Sequence, residues 1–215
     1  MTERDTDNQI LVWDAPVRVF HWLLVLSFTG AYLTAESEHW RLAHVTLGYT
    51  MGGLIVFRLL WGFVGTRYAR FSNFVRGPAA VLQYLRSLPS RAPEHHIGHN
   101  PAGALAIVLL LLAGAIIVAT GWASYNDVGG EWLSKLHEVA ANAMLAVVGV
   151  HIAGVALSSW LHRENLVRSM VTGTKTGLRS EGVSSAWKLL ALVMVAAVLG
   201  FWYYQWLGAP VAGAL

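Results

Sequence analysis

The sequence predicts an all-α integral membrane protein, a four-helix transmembrane bundle with an additional C-terminal transmembrane helix. Only 13% of its 215 residues are charged, against about 25% in a soluble domain. Apolar runs close to the roughly 20 residues that span a bilayer core recur along the chain. The basic residues, 15 against 12 acidic, sit mostly in the connections between those runs. That placement follows membrane orientation rather than a nucleic-acid surface, so lipid is the expected surrounding and no nucleic acid is expected as a partner.

Residues 1–16 are mixed and acidic rather than basic then apolar, and are read as a cytoplasmic N-terminal segment without a cleavable signal. The first span is expected from Val17 to Ala35 and the second from Trp40 to Val64. Gly77-Pro78 then opens a stretch in which Val81, Leu82, Leu85 and Leu88 recur at helical spacing, predicting an amphipathic interfacial helix over about 77–90. The third span, Pro101 to Trp122, follows Asn100, an N-cap before a first-turn proline. The fourth runs from Trp132 to Leu161. The fifth, 184–207, is apolar and ends in an aromatic cluster (Phe201, Trp202, Tyr203, Tyr204, Trp206) of the interfacial type.

Twelve of the fifteen basic residues lie in the N-terminal segment with the first turn of the first span (Arg18), the 65–99 connection, or the 162–183 connection with its flank. The positive-inside rule then puts the N-terminus in the cytoplasm and the C-terminus in the periplasm, with the protein multi-pass in a bacterial inner membrane.

Four of the nine histidines fall within spans: His21, His44, His137 and His151. An ionisable residue inside a membrane is costly and is a functional candidate by default. His137 and His151 are 14 residues apart, which on a helix places them about 40° apart in azimuth and about 21 Å apart along the axis. One helix thus offers two imidazoles on one face, one towards each side of the membrane. His21 begins the first span at the inner level, and His44 begins the second at the outer level. Depth therefore pairs His21 with His151 and His44 with His137. Two bis-imidazole sites at two depths suit the iron of two stacked, non-covalent haems b. The chain has no cysteine, which excludes a Cys-ligated iron–sulfur cluster, a disulfide scaffold and a thioether-attached haem.

Arg58 shares the face of His44 fourteen residues on, and Arg18 precedes His21 by one turn. Both are read as counter-charges for haem propionates at the inner level. Gly48, Gly52, Ala140, Ala143 and Gly149 are small enough for flat macrocycles to approach the backbone. His99 and Asn100 abut the third span and, with Arg58, are the candidate contacts for a propionate or a quinone. His95 and His96 read as a solvated turn, and His39 and His162 as interfacial.

The stretches VWDAPVRVFHW, HVTLGYTMGGLIVFRLLWGFVGTRYARF, GHNPAGALAIV and HEVAANAMLAVVGVHIAG resemble the prokaryotic cytochrome b561 family, over roughly residues 11–175. That family includes the b-type cytochrome subunits of nickel–iron hydrogenases. The resemblance implies a diheme domain over 17–175 that exchanges electrons with quinone, its ligand positions falling on His21, His44, His137 and His151. The fifth span departs from the four-helix family core.

The expected function is electron transfer between the quinone pool and a redox partner. Outer loops carrying Glu36, Glu38, Asp127, Glu131 and Glu138 against Arg41 and Lys135 point to a basic periplasmic cytochrome c. They argue against collection of an anion, as a superoxide:quinone oxidoreductase requires. A nickel–iron hydrogenase anchor and, from a different class, a histidine-lined metal-ion transporter are the other readings.

Overall fold

The computed structural model describes residues 8–88, 90 and 94–208, and five of its helices are long and apolar enough to cross a membrane. Helix α1 (Ala15–Thr34) begins at the Asp-Ala-Pro signal, two residues before the expected Val17. Asp14 Oδ1 accepts the Val17 N–H at 2.8 Å and Pro16 occupies the first turn, meeting the need of the orphan N–H groups there. Asp14 is fully buried, and its Oδ2 accepts from Trp61 Nε1 at 3.0 Å and Thr66 Oγ1 at 2.6 Å. One carboxylate therefore starts α1 and fastens the end of α2 (Arg41–Val64) to it.

A short α3 (Phe71–Phe74) and the amphipathic α4 (Pro78–Ser87) follow, the latter burying Tyr84 and exposing Leu82 and Leu85. Helix α5 (Pro101–Tyr125) is capped as expected, Asn100 Oδ1 accepting the Gly103 N–H at 2.7 Å. Helix α6 (Glu131–Leu161) has 31 residues, about 46 Å at 1.5 Å per residue. It therefore outruns a hydrocarbon core of about 30 Å.

Beyond it lie α7 (Leu166–Thr172) and strand β2 (Thr174–Gly177), which pairs antiparallel with β1 (Asn8–Leu11), Ile10 opposite Lys175. Gly173, at φ +87°, ends α7 in the left-handed conformation, and its carbonyl accepts the N–H groups of Val12 and Trp13. A side chain there would strain the backbone and strike the Trp13 carbonyl. The ribbon thus seals the end of the bundle that carries most of the basic residues, called here the basic end; the other is the acidic end.

Helix α8 (Lys188–Leu207) starts later than the expected Ser184. Residues 184–187 are not helical because they dock on α1: Ala186 accepts the Ala15 N–H at 2.8 Å, and Trp187 turns at φ 52°. Trp202, expected in the aromatic belt, instead donates to Thr50 Oγ1 of α2 at 2.8 Å.

Packing leaves a gap where a cofactor is expected. Helix α1 lies along α2, α5 along α6, and α2 also meets α5, while α6 does not pack closely on α1 or α2. Two apolar clusters stand one above the other: Phe20, Leu54, Ile55 and Leu111 with Met194 of α8, and Phe28, Met51, Ile117, Ala140 and Met144. Outward residues such as Leu33, Val64, Val150 and Leu189 are exposed and apolar, as lipid contact requires.

Candidate haem-binding sites

At the acidic end, His44 of α2 and His137 of α6 face each other with ring centres 6.1 Å apart and planes 70° apart. Two imidazoles sharing one iron stand with centres roughly 6 Å apart, since each metal–nitrogen bond is about 2 Å. His44 Nδ1 lies 2.8 Å from the Ala31 carbonyl. His137 Nδ1 lies 2.9 Å from the Ile117 carbonyl and 3.3 Å from Thr120 Oγ1. A carbonyl oxygen can only accept, so each Nδ1 carries the proton and each Nε2 keeps its lone pair. Second-sphere bonds of this kind fix an imidazole as a metal ligand.

Both rings line a cavity of about 550 Å³ that also takes in Phe28, Gly48, Met51 and Asn142. A Cβ on Gly48, one turn from His44, would meet nothing within 4 Å, so open space lies against the α2 backbone there. Gly121 is small for the opposite reason, since a Cβ would stand 2.8 Å from the His137 ring. Tyr32 Oη donates to Asn142 Oδ1 at 2.8 Å, joining α1 to α6 beside this cavity. Glu36 and Glu138 line it too. Neither Gly121 nor the Tyr32–Asn142 bridge was singled out by sequence. A signal for the glycine existed, for Thr120-Gly121 falls opposite His137 once the two helices are set antiparallel.

At the basic end, His21 of α1 and His151 of α6 are electrostatic neighbours, and both act on His99. Arg58 is 3% exposed, and its Nη1 has no hydrogen-bond partner. Its guanidinium lies over Phe71 at 4.8 Å and Phe74 at 5.8 Å. Asp14 acts on it electrostatically, yet a buried cation with an unused N–H is expensive, and an anionic propionate would take that N–H. Arg18 Nη1 donates to the Val171 carbonyl at 2.7 Å, while its Nε is buried without a partner. The residues at both ends thus fit a haem: two paired imidazoles and open backbone at one, two histidines with partly unanswered arginines at the other.

His99 packs against Trp13 (4.5 Å between ring centres) and Phe74 (4.8 Å). Burial, helped by the nearby cations of Arg58 and Lys175, lowers its pKa to about 3, so the ring is neutral at physiological pH. The side-chain oxygen of Asn100 is engaged in capping α5. Sequence reasoning passed over Lys175, which is 5% exposed and pairs with Glu164 at 3.1 Å. The 94–99 loop is more than a solvated turn. His95 Nε2 sits 3.5 Å from Glu164 Oε2 and its ring 5.1 Å from that of His162, and His96 packs against Tyr84. His39 stands edge-on to Trp40 in the 3₁₀ turn Glu38–Trp40 that precedes α2.

Apolar spans, one facing pair of imidazoles, a second pair near enough to interact electrostatically and a gap between helices suit a membrane cytochrome of the b type. The model of the prokaryotic cytochrome b561 family matches residues 12–173, and the chain belongs to that family. It is a membrane electron-transfer protein that holds haem b. Among curated relatives, it is 26% identical to a probable Ni/Fe-hydrogenase B-type cytochrome subunit of Bradyrhizobium diazoefficiens, over 77% of this chain and 85% of the relative. The counterpart in Azotobacter vinelandii is 25% identical, over 76% of this chain and 87% of its own. A probable Ni/Fe-hydrogenase 1 B-type cytochrome subunit of Escherichia coli (strain K12) is 29% identical, over 58% and 65%. No solved structure matches the chain. Helix α8 lies beyond the family match.

Proposed function

We propose that the chain carries two haems b, one at each end of the bundle, and passes electrons between membrane quinone and a redox partner on the acidic side. The supporting observation is the His44–His137 pair, whose separation and fixed tautomers suit one iron. His21 and His151 hold the second haem, with Arg18 and Arg58 as propionate counter-charges. Haem b supplies a reversible one-electron iron couple, and two imidazole ligands leave no open position for oxygen. The basic end lies in the cytoplasm and the acidic end in the periplasm of a bacterial inner membrane.

His99, neutral and set between Trp13 and Phe74, offers a hydrogen bond to a quinone carbonyl at the cytoplasmic end. At the other end Glu36 and Glu138 line the outer cavity, and Arg41 stands 3.7 Å from Glu38 and over the Tyr125 ring. That rim attracts a basic periplasmic cytochrome c and repels an anion such as superoxide. A second reading makes the outer partner a hydrogenase, on the strength of the relatives' names. Family membership displaces the metal-ion transporter.

Purified holoprotein in liposomes decides the matter. Quinol should reduce the haems, and externally added basic cytochrome c should then oxidise them at a rate that falls with ionic strength. Haems inert to quinol would overturn the reading. Haem reduction by a superoxide pulse near the diffusion limit would favour the superoxide oxidoreductase instead.

A further inference from the structure

The charges around the two histidine pairs have opposite signs. The cavity shared by His44 and His137 is faced by the carboxylates of Glu36 and Glu138, and no lysine or arginine is among the described residues that line it. Arg41 reaches the ring of Tyr125, another lining residue, but stands 3.7 Å from Glu38, which offsets its charge.

At the basic end three cations stand against two carboxylates. Arg58 is buried with Asp14 as its electrostatic counter-charge, and the buried Lys175 pairs with Glu164. Arg18 is held by a neutral group, the Val171 carbonyl at 2.7 Å, and its Nε is buried without a partner. Its charge is therefore left over among the described residues. Arg58 and Lys175 both act on the His99 ring, so the field of these cations is felt inside this end of the bundle.

A haem held by two neutral imidazoles carries one more positive charge when its iron is ferric than when it is ferrous. Neighbouring carboxylates therefore favour the ferric form, and neighbouring cations favour the ferrous form. Two propionates accompany each haem, so they add the same charge at both ends and leave the difference to the protein. Glu36 and Glu138 are exposed, so water screens them. Arg58 acts from a buried position, where screening is weaker.

We propose that these residues grade the two sites: Glu36 and Glu138 make the acidic-end haem the harder to reduce, and Arg18, Arg58 and Lys175 make the basic-end haem the easier. The inference rests on the two-haem reading and adds which haem holds the electron. One electron passes from ferrous iron at the acidic end to ferric iron at the basic end, with no bond made or broken. Within the chain that direction is downhill, so an electron delivered at either end comes to rest at the basic one.

An optical redox titration of the purified holoprotein tests this, with two one-electron transitions expected. His21→Ala with His151→Ala keeps the acidic-end haem alone, and His44→Ala with His137→Ala keeps the other. The basic-end haem should be easier to reduce by about tenfold or more, which is about 59 mV for one electron. Glu36→Gln with Glu138→Gln should make the acidic-end haem about tenfold easier to reduce, again about 59 mV, and leave the other transition in place. Glu36→Asp with Glu138→Asp keeps both charges and should keep the wild-type potentials. Equal potentials, or an acidic-end haem that is reduced first, would overturn the grading. An equal shift in the aspartate and glutamine pairs would overturn charge as its cause. A wild-type holoprotein with a single haem would instead overturn the two-haem reading. Should either double-histidine variant lose both haems, the transition that moves in the glutamine pair marks the acidic-end haem, and it must be the lower of the two in wild type.

Discussion

Gly121→Ala probes the outer site without touching a ligand. The added Cβ would stand 2.8 Å from His137 Cε1 and 3.1 Å from Nδ1, against an ordinary contact of 3.4–4 Å. The ring must therefore retreat by roughly 0.6 Å or more, the distance at which steep repulsion is relieved. Its Nδ1 is held 2.9 Å from the carbonyl of Ile117, one turn earlier on the same helix as Gly121. A retreat of that size carries the bond beyond about 3.2 Å, the end of the good range. Losing such a second-sphere bond typically costs 10–100-fold in metal affinity, or about 1.4–2.7 kcal/mol. Alanine in place of glycine favours the helix by about 1 kcal/mol, so the apoprotein should fold as well as wild type. Haem retention is measured against a haem-scavenging apoprotein, with the low-spin electron paramagnetic resonance signals reporting each site. Accelerated loss from one site only is expected. Wild-type retention with unshifted signals would refute the assignment of His137 as a constrained ligand.

Gly48→Leu places a Cβ that would meet nothing within 4 Å and extends its side chain into the cavity that Gly48 lines, so haem stoichiometry should fall from two per chain to one while helicity is kept. Two haems in that variant would mean that the macrocycle does not lie against α2. Asp14→Ala leaves Trp61 Nε1, Thr66 Oγ1 and the Val17 N–H without their acceptor. At about 1–3 kcal/mol for each buried unsatisfied group, the thermal midpoint in detergent should drop clearly, and Asp14→Asn should drop less. His99 has its pKa lowered by burial from 6.5 to about 3. Between those values the unfolded chain binds a proton that the native ring refuses, so stability falls as pH drops from about 6.5 towards 3. Thermal midpoints against pH should slope less over that window in His99→Phe, and equal slopes would contradict the burial of His99.

The spans and the histidine stripe were legible because membrane solvent imposes long apolar runs and helical geometry fixes the azimuth of residues 14 apart. The Asn100-Pro101 start of α5 was legible because capping is local chemistry. The same signal stood at Asp14-Ala15-Pro16 and placed the start of α1 better than hydropathy did. What escaped was non-local. Strand β1 pairs with β2 across more than 160 residues, in four-residue segments too short to show a pattern. The late start of α8 depends on Ala186 meeting Ala15. Trp202 looked interfacial, yet its indole N–H finds Thr50. The notch of Gly62 beneath Phe71 is visible only once the chain between α2 and α3 has turned back.

The pairing of the four histidines is tested most directly by counting haem in double variants with a pyridine haemochrome assay. His21→Ala with His151→Ala removes both ligands of one site, and the chain should keep one haem b. His21→Ala with His44→Ala takes one ligand from each site and should leave none firmly bound. The reverse pattern, with one haem surviving the second combination and none the first, would contradict two sites stacked at two depths.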